Sequence, residues 1–598
     1  MGVQGAIFQK SPLAAEGKQK KNKNTNMTID EMRHYYHDLW DKALRMWSKY
    51  LKLKRPILCS THEMAKKEGL SGSFAMIRLV DHAVVIDTLQ IKKLKLQDYV
   101  SAILAHEIGH HIYCPGDLTD QGRMIARMRR GLPTKEHLAP FIANLYSDLL
   151  INDRLKRDFK LDIDRVYRVI GKNSRDKMWT FYMRIYEILW GLTKGTLATG
   201  PIDSLLEGDA QLGNRLIRTF ARNWLKGAGR FAALCLPYLL QDNGENMQKL
   251  YSVWTDAKDV GRGGDFPDGL TGIDDDEIGS ARHPAFDDIE GESETPEDTG
   301  APHPESSGQS REPFEYGQIL KDLGLQVSEE DIRIKYYKER ALPHLIPFPQ
   351  KEMPQSLEPL LEGVETWSIG SPVEQINWFE TVTRSPYVIP GYTTVEQTYG
   401  TMTGDTPEKE PIDLDIYVDN SGSMPHPGYQ VSYLALAGAI ISLSALRTGA
   451  RVQATLWSGT RQFKSTHGFI SDEKKILGIL TGHIGGGTAF PIHILRDTYE
   501  QRLPTARSVH ILVISDSGVT TIYNRDERGG DGYEIAGEAL QKARAGGTFV
   551  LNIGKHWRRV AGLKKAEDQG WDICPVSSWQ ELLDFARHFS SKKYGDES

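Results

Sequence analysis

The chain has 598 residues, of which 39% are hydrophobic and 25% are charged, and its formal net charge is -6. This length predicts about three or four folding units at roughly 100–200 residues each, and a mean hydropathy of -0.43 excludes a membrane-embedded or collagen-like chain. The four cysteines are scattered and include no CxxC pair, which excludes a disulfide scaffold and favours a reducing, cytoplasmic location.

The N-terminus carries its lysines after its only weakly apolar stretch, the reverse of a secretory signal. We therefore expect residues 1–26 to form a flexible basic tail. Acidic residues are concentrated elsewhere: between Asp265 and Glu305 there are 14 of them against one basic residue. This stretch is also rich in Gly, Pro and Ser and lacks the apolar surface that offsets the entropy of ordering. We predict an acidic disordered linker over residues 256–311.

The strongest motif of the N-terminal half is HEIGH, on a predicted helix whose apolar residues recur at helical spacing. His106 and His110 are four residues apart, so they project from one face and can share a tetrahedral Zn²⁺ through neutral imidazoles. Glu107 is then placed beside the metal to deprotonate its water, as in a zinc peptidase. The competing interpretation is a chance match in which the histidines only cap the helix.

A later helix, LAPFIANLYSDLLINDRLKRDF, supplies the candidate third ligand. Asn144, Asp148 and Asn152 follow one another at i, i+4 and i+8 on one face. A polar stripe costs free energy if it is buried without partners, so this face is either solvated or meets charge. We expect Asp148 to be the third zinc ligand, with Asp153 or another residue as the alternative.

Three neighbouring side chains receive structural roles. His111 points about 100° away from His110 around the helix and is predicted not to join the same metal. Tyr182 and Tyr186 lie in the aromatic helix MWTFYMRIYEILW and are predicted to be core residues, with donation of a phenol to an oxyanion as the alternative.

HEIGHH followed by NLYSDLLIND resembles the predicted metallopeptidases that combine HExxH with a helix of the form N-x-x-x-D-x-x-x-N and are joined to a von Willebrand factor A-like domain. The three residues of the polar stripe match that helix position by position, and the resemblance is close over roughly 95–155. It implies a mainly helical, zincin-like domain with a small sheet over residues 27–255. It identifies no substrate.

In the C-terminal half, the apolar strand IDLDIYVDNSGSM ends in Asp419, Ser421 and Ser423. Thr488 follows in IGGGTAF, and Asp516 follows the apolar strand VHILVIS. Strands and helices alternate around these residues, as in a doubly wound parallel sheet whose carboxyl edge binds ligands. The competing interpretation is a helix-capping turn at DNSGS, which explains neither Thr488 nor Asp516.

The order D-x-S-x-S, then T, then D resembles the metal-ion-dependent adhesion site of von Willebrand factor A domains. The resemblance implies such a domain over residues 411–598, in which the two serines and the threonine bind Mg²⁺ or Mn²⁺ directly or through water and the two aspartates balance its charge. Hydroxyl and carboxylate oxygens suit these hard cations. An open coordination position would take a carboxylate from an acidic protein partner.

Residues 312–410 are predicted to connect the two halves. The segment EEDIRIKYYKERALPHLIPFP resembles the one that precedes the A domain in bacterial proteins working with MoxR-type AAA ATPases. The chain has no GxxxxGK[ST] motif, so ATP hydrolysis would come from a partner. No basic stripe with interleaved aromatic residues predicts nucleic-acid binding, and no apolar run is long enough to predict membrane insertion.

These patterns favour a multidomain α+β and α/β protein acting as a cytoplasmic bacterial zinc metallopeptidase, with a MoxR-type AAA ATPase or another acidic ligand as partner. A role in stress or defence is an expectation from the architecture. The alternative is an adaptor or chaperone-like scaffold with structural zinc, although such a site has no need of Glu107. The acidic run Asp274–Glu277 is either part of a spacer or a tethered competitor for the magnesium site.

Overall fold

The computed structural model describes most of the chain, and it divides into two compact units, Met1–Tyr336 and Tyr337–Ser598. The predicted mixture of helix and sheet is confirmed, with 51% of residues helical and 15% in strands. The predicted basic tail lies outside the described residues. The described residues are 29–70, 72–170, 176–241, 257–258, 266–279, 281–286, 310–352, 357–403, 409–553, 557–578, 581, 582, 585 and 589.

The first unit is mainly helical, with one small sheet of four strands in the order β1-β3-β2-β4. β3 runs parallel to β1 and antiparallel to β2, which is parallel to β4. The strands are β1 (Ile57–Cys59), β2 (Ala75–Arg78), β3 (Ala83–Asp87) and β4 (Ala257–Lys258). The helices are α1 (Ile29–Trp47), α2 (His62–Lys67), α3 (Thr88–Lys93), α4 (Val100–Ile112), α5 (Leu118–Gly131), α6 (Ala139–Phe159), α7 (Ile163–Ile170), α8 (Lys177–Leu189), α9 (Ser204–Thr219), α10 (Trp224–Gln241), α11 (Asp275–Ile278), α12 (Pro313–Asp322) and α13 (Glu329–Ala341), the last of which continues into the second unit.

The helix α6 is the central element of this unit. Its 21 residues are buried over most of their length, and it contacts α4, α5, α8 and α10. Pro140 in its first turn is compatible with a helix start because the backbone amide there has no intrahelical acceptor. The helix ends at Phe159, and its C-cap Lys160 adopts the left-handed conformation.

The second unit is built around a six-stranded sheet in the order β11-β10-β9-β12-β13-β14, with two separate antiparallel strand pairs, β5 with β8 and β6 with β7. All neighbours in the large sheet are parallel except the edge strand β11. The strands are β5 (Gln350–Glu352), β6 (Leu357–Thr366), β7 (Val395–Thr403), β8 (Lys409–Pro411), β9 (Asp413–Asp419), β10 (Val452–Trp457), β11 (Phe463–Ser465), β12 (Val509–Ser515), β13 (Arg544–Leu551) and β14 (Trp571–Pro575). The helices are α14 (Trp378–Arg384), α15 (Tyr433–Arg447), α16 (Glu473–Leu480), α17 (Ile492–Tyr499), α18 (Gly532–Ala543) and α19 (Ala561–Gln569).

Helices cover both faces of the large sheet. On one face Gly438 of α15 lies against Val418 and Ile416 of β9. On the other face Tyr417 belongs to a buried cluster with Leu495 of α17 and with residues of α18 and α19. β9 and β12 are buried along their whole length, because a parallel sheet covered on both faces exposes neither side of its central strands.

The acidic run of the predicted linker forms ion pairs within the first unit. The carboxylates of Asp274 and Asp276 each lie 2.7 Å from Nη2 of the buried Arg127. Glu277 is 1% exposed and lies 2.8 Å from Arg130 and 2.9 Å from the buried Arg311. For these residues the prediction of a disordered linker is wrong, because arginines distant in sequence neutralise the acidic run. Residues 256, 259–265, 280 and 287–309 of that linker lie outside the described residues.

Among the described residues, no helix is both long enough and apolar enough to cross a bilayer.

Candidate metal centres

The first candidate centre lies where α4 and α6 approach each other closely. A Cβ added at Gly109 of α4 would lie 2.5 Å from Ile151 of α6 and 2.7 Å from Trp47 of α1. Real side chains do not tolerate such distances, so glycine within the HEIGH motif permits the approach of the three helices. Trp47 also fixes α4 directly, since its Nε1 donates to the carbonyl oxygen of Ala105 at 2.7 Å.

This approach brings together His106, His110 and Asp148. The two Nε2 atoms are 3.2 Å apart, and Oδ1 of Asp148 lies 3.5 Å from Nε2 of His106 and 3.4 Å from Nε2 of His110. Around a tetrahedral zinc ion with ligand distances near 2.0–2.1 Å, neighbouring ligand atoms are about 3.3 Å apart. The three atoms therefore form a triangle of the size that three ligands of one tetrahedral ion require.

The second nitrogen of each imidazole is engaged by the protein. Nδ1 of His106 lies 2.8 Å from Oδ1 of Asn152, and Nδ1 of His110 lies 3.2 Å from the carbonyl oxygen of Cys114. Because both partners are acceptors, each Nδ1 carries the proton and each Nε2 presents its lone pair to the triangle. Hydrogen bonds of this kind orient metal-ligating histidines and fix their tautomers.

The electrostatics of the triangle also fit a cation. Burial lowers the pKa values of His106 and His110 to about 4, which keeps both imidazoles neutral. Burial raises the pKa of Asp148 to about 7. Its Oδ1 has no hydrogen-bond partner among the described residues. A buried carboxylate oxygen without a donor is unfavourable, and a dication at the triangle would compensate it.

The remaining residues of the predicted site have distinct environments. Glu107 lies on α4, like His106 and His110, and is 1% exposed. It contributes none of the three atoms of the triangle. Asp153, the alternative ligand, instead lies 3.2 Å from Arg218 and 3.5 Å from Arg157. His111 contacts the carbonyl oxygen of Gly116 through Nδ1 and is likewise outside the triangle.

A network of tyrosines supports Asn152. Tyr182 and Tyr186 are fully buried, in agreement with the core prediction. Nδ2 of Asn152 donates to the hydroxyl oxygens of Tyr167 and Tyr186, both at 2.9 Å, and the hydroxyl groups of Tyr182 and Tyr186 are 3.1 Å apart. Asn152 belongs to the predicted polar stripe, but this role does not follow from the sequence, because its partners come from α7 and α8.

One side of the triangle is accessible. The side chain of His106 is 12% exposed, whereas those of His110 and Asp148 are 0% and 2% exposed. A narrow cleft leads to His106 and Asn152. Its other lining residues are mostly apolar: Phe74, Ala102, Ile103, Ile163, Val166, Tyr167 and Ile170.

Replacing Asn152 by alanine should weaken zinc binding by about 10–100-fold, the usual effect of removing the hydrogen bond behind a ligating histidine. His106 would lose the acceptor that fixes its Nδ1 proton, while all three triangle atoms remain. The measurement is competition for zinc against a chromophoric chelator. Asn223→Ala, in the loop before α10, is the control and should bind zinc as wild type does; equal affinities of the two variants would contradict the role of Asn152.

The second candidate centre lies at the carboxyl edge of the large sheet, where β9 ends. Oδ1 of Asp419 accepts a hydrogen bond from the backbone N of Ser421 at 2.8 Å, and Oδ2 accepts one from the hydroxyl of Ser515 at 2.6 Å. The hydroxyl oxygens of Ser421 and Ser423 are 3.2 Å apart. Adjacent ligands of an octahedral Mg²⁺ at 2.0–2.1 Å are about 3 Å apart, so the serine pair matches such an ion.

The remaining two predicted residues belong to loops beside this turn. Oδ1 of Asp516 accepts from the backbone N of Gly518 at 2.7 Å, and a Cβ added at Gly518 would lie 2.4 Å from Cγ2 of Thr488. Burial raises the pKa of Asp419, and the nearby charge of Asp516 raises it further. Two neighbouring carboxylates that share hydroxyl-rich surroundings suit a hard cation.

Asn420 is a residue of this centre that the sequence motif did not single out. Its Oδ1 accepts hydrogen bonds from the backbone N atoms of Ile484 and Gly485 at 2.6 and 3.3 Å. The backbone N of Gly422 donates to the carbonyl oxygen of Gly486 at 2.8 Å. These bonds hold the loop that carries Thr488 against the loop that follows β9. The position of Asn420 inside DNSGS was the available signal.

The chain was compared with family models, with curated proteins and with solved structures, and none of these comparisons gave a match.

Proposed function

We propose that the chain is a zinc-dependent peptidase whose second unit docks an acidic protein partner through Mg²⁺ or Mn²⁺. The observation that carries the first part is the triangle of His106, His110 and Asp148, formed in part by a helix that also contains the buried Glu107. On this proposal the first unit is a zincin-like peptidase domain. The second unit is a von Willebrand factor A-like domain with a doubly wound sheet, working with a MoxR-type AAA ATPase in bacterial stress or defence.

When bound at the triangle, zinc would polarise the scissile carbonyl and acidify the attacking water. The carboxylate of Glu107 accepts a proton from that water as its oxygen bonds to the carbonyl carbon, and returns the proton to the amine when the C–N bond breaks. Asn152 holds His106 in the tautomer that leaves Nε2 unprotonated. The apolar lining of the cleft limits the access of bulk water. Loss of cleavage in the Glu107→Gln variant with zinc retained is the test.

A second candidate function is a scaffold in which zinc is structural. The burial of His110 and Asp148 favours it, because structural zinc sites are closed whereas catalytic ones keep an open position. The partial exposure of His106 and the cleft beside it favour catalysis. The Glu107→Gln variant separates the two functions, since a scaffold does not depend on a proton acceptor.

The surroundings of the second centre favour an acidic partner. A recess lined by Ala489 and Phe490, which directly follow Thr488, also contains Arg461 and Arg525. Among the described residues neither arginine has an ion-pair partner, whereas Glu527 in the same recess is paired with Arg496 at 2.8 Å. The two guanidinium groups can pair with carboxylates of the partner. These would lie next to the partner carboxylate that completes the coordination shell of the cation.

Asp419→Ala should abolish the binding of Mn²⁺ while leaving the zinc content of the protein at the wild-type value. The substitution removes a ligand of the second centre and touches no residue of the first. Mn²⁺ can be followed by electron paramagnetic resonance titration and zinc by atomic absorption after dialysis.

Asp497→Ala is the matched control, because Asp497 is a half-exposed aspartate of the same unit. It should bind Mn²⁺ as wild type does. Unchanged Mn²⁺ affinity in Asp419→Ala would contradict the second centre, and zinc loss in that variant would contradict the independence of the two centres.

A further inference from the structure

Exposed apolar side chains are concentrated in residues 357–403 of the second unit, which we call the hairpin module. It consists of β6 and β7 joined by a segment that contains α14. Ile369, Phe379 and Tyr392 are 79%, 77% and 79% exposed. Twelve exposed large hydrophobic side chains belong to this module, whereas the others are distributed over all the remaining described residues. Exposed apolar surface of this density is typical of an interaction site.

The exposed side chains belong to a braced framework. The buried Trp367 donates from its backbone N to the carbonyl oxygen of Thr394 at 2.8 Å and from Nε1 to that of Pro372 at 3.2 Å. The backbone N of Val395 donates to the hydroxyl of the buried Thr381 at 3.1 Å. These bonds fasten the connecting segment and α14 to the start of β7. The module therefore presents a preorganised surface, which reduces the entropy lost on binding.

Members of the apolar set are neighbours. Leu361 and Tyr399 are directly opposite each other on β6 and β7, and both are exposed. Ile369 lies against Gly391, where a Cβ would be 2.7 Å from its Cγ1, and Gly391 directly precedes Tyr392. Leu361 and Tyr399 are thus adjacent on the module, and Ile369 lies against the glycine that precedes Tyr392.

The same module is acidic. It contains six glutamates and one arginine, a net charge of -5. Among its glutamates with described side chains, only Glu380 has an ion pair, with Arg384 at 3.7 Å. Glu365 and Glu396 are direct cross-strand partners. Like charges in that position are destabilising, and cations supplied by a partner would relieve the repulsion.

We propose that the hairpin module is a docking surface for a second protein that presents apolar recesses flanked by lysine or arginine. Phe379, Tyr387 and Tyr392 are its aromatic anchors, since large exposed aromatic side chains dominate binding energy at interfaces. The negative charge disfavours anionic lipid and nucleic acid, and it opposes the pairing of two copies of the module. This surface is separate in sequence from both metal centres and extends the proposed function to a second contact.

The test uses the full-length protein and a fluorescent amphipathic helix with leucines on one face and lysines on the other. An otherwise identical helix with glutamates in place of the lysines is the probe control. Anisotropy titration should show binding of the lysine helix at least about tenfold tighter than that of the glutamate helix, with the difference shrinking as salt rises. Phe379→Ser combined with Tyr392→Ser should weaken binding of the lysine helix about tenfold.

Leu503→Ser combined with Tyr533→Ser is the matched control, because it removes two exposed apolar side chains outside the module. It should bind the lysine helix as wild type does. Glu365→Gln combined with Glu374→Gln should leave apolar contacts intact and reduce the preference for lysine over glutamate, which gives a second readout independent of the aromatic variant. Thermal denaturation checks that all variants fold.

Four outcomes would overturn the proposal. Equal affinity for the two helices would show that charge does not determine binding. Equal affinity of the aromatic and control variants for the lysine helix would show that the module is not the binding site. Self-association in sedimentation that is lost in the aromatic variant would assign the surface to a second copy of the chain. Binding to phosphatidylglycerol vesicles in flotation that is lost in the same variant would assign it to a membrane.

Discussion

Glu107→Gln should lower peptide cleavage by about 10²–10⁴-fold, the usual contribution of a general base, and leave the zinc content unchanged. Glutamine has the size of glutamate, so the packing of this buried position is preserved. Its amide cannot accept the proton of the attacking water. Since the three triangle atoms belong to other residues, the metal stays bound.

The measurement pairs a fluorescence-quenched peptide library with zinc analysis of the same preparations. Glu63→Gln, at an exposed position of α2, is the matched control and should cleave as wild type does. His106→Ala should lose both cleavage and zinc. Wild-type rates in the Glu107→Gln variant would exclude the peptidase function and leave the scaffold function in its place.

The metal triangle shows which part of a site local sequence can predict. The separation of His106 and His110 is a local property of a helix, so their shared face follows from the motif alone. Their distance from Asp148 depends on how closely α4 and α6 pack, which Gly109 permits. Spacing favoured Asp148 but left Asp153 open, because the choice depends on the packing of α6. The structure separates them through the arginines that contact Asp153.

The structure of the acidic run Asp274–Glu277 could not be predicted from local sequence. Composition alone predicts that Asp274, Asp276 and Glu277 repel one another and stay solvated. Their partners Arg127 and Arg311 are more than thirty residues away in sequence. Local composition cannot predict ion pairs between residues so far apart. Since these carboxylates are engaged within the first unit, the hypothesis that they compete in cis for the second centre has no support from the described residues.

Two parts of the second unit differ in how far their folds follow from sequence. Continuous apolar runs predict buried parallel strands, and β9 and β12 have this pattern because both faces of the sheet are covered. The order of the strands depends on long-range pairing that no local pattern encodes. The hairpin module could not be recognised, because its apolar residues are exposed and violate the pattern on which such predictions rest.

Asp148→Asn should abolish retention of zinc and with it the stabilisation that the metal gives to the wild-type protein. In wild type, free zinc at about a thousand times its dissociation constant adds about 4 kcal/mol to the free energy of unfolding. The variant lacks the anionic ligand, so chelation should leave its stability unchanged. Urea denaturation with and without zinc, followed by tryptophan fluorescence, measures both values.

The chelated proteins provide a sharper comparison. Burial raises the pKa of Asp148 to about 7 in the folded protein, whereas the pKa in the unfolded chain is near 4. Below pH 4 the carboxyl is protonated in both the folded and the unfolded protein, so it does not lower the free energy of unfolding. As pH rises toward 7 the unfolded state ionises first and folding loses stability. Above pH 7 the penalty is complete. Chelated Asp148→Asn should therefore be more stable than chelated wild type at pH 8 and equal to it near pH 4.

Asp153→Asn is the control on the same helix. It should retain zinc but lose some stability at every zinc concentration, because Arg157 and Arg218 lose a charged partner. Zinc loss in Asp153→Asn with retention in Asp148→Asn would transfer the third ligand to Asp153. If chelation destabilises Asp148→Asn as much as wild type, the carboxylate of Asp148 does not bind the metal, and the triangle is only a buried polar contact.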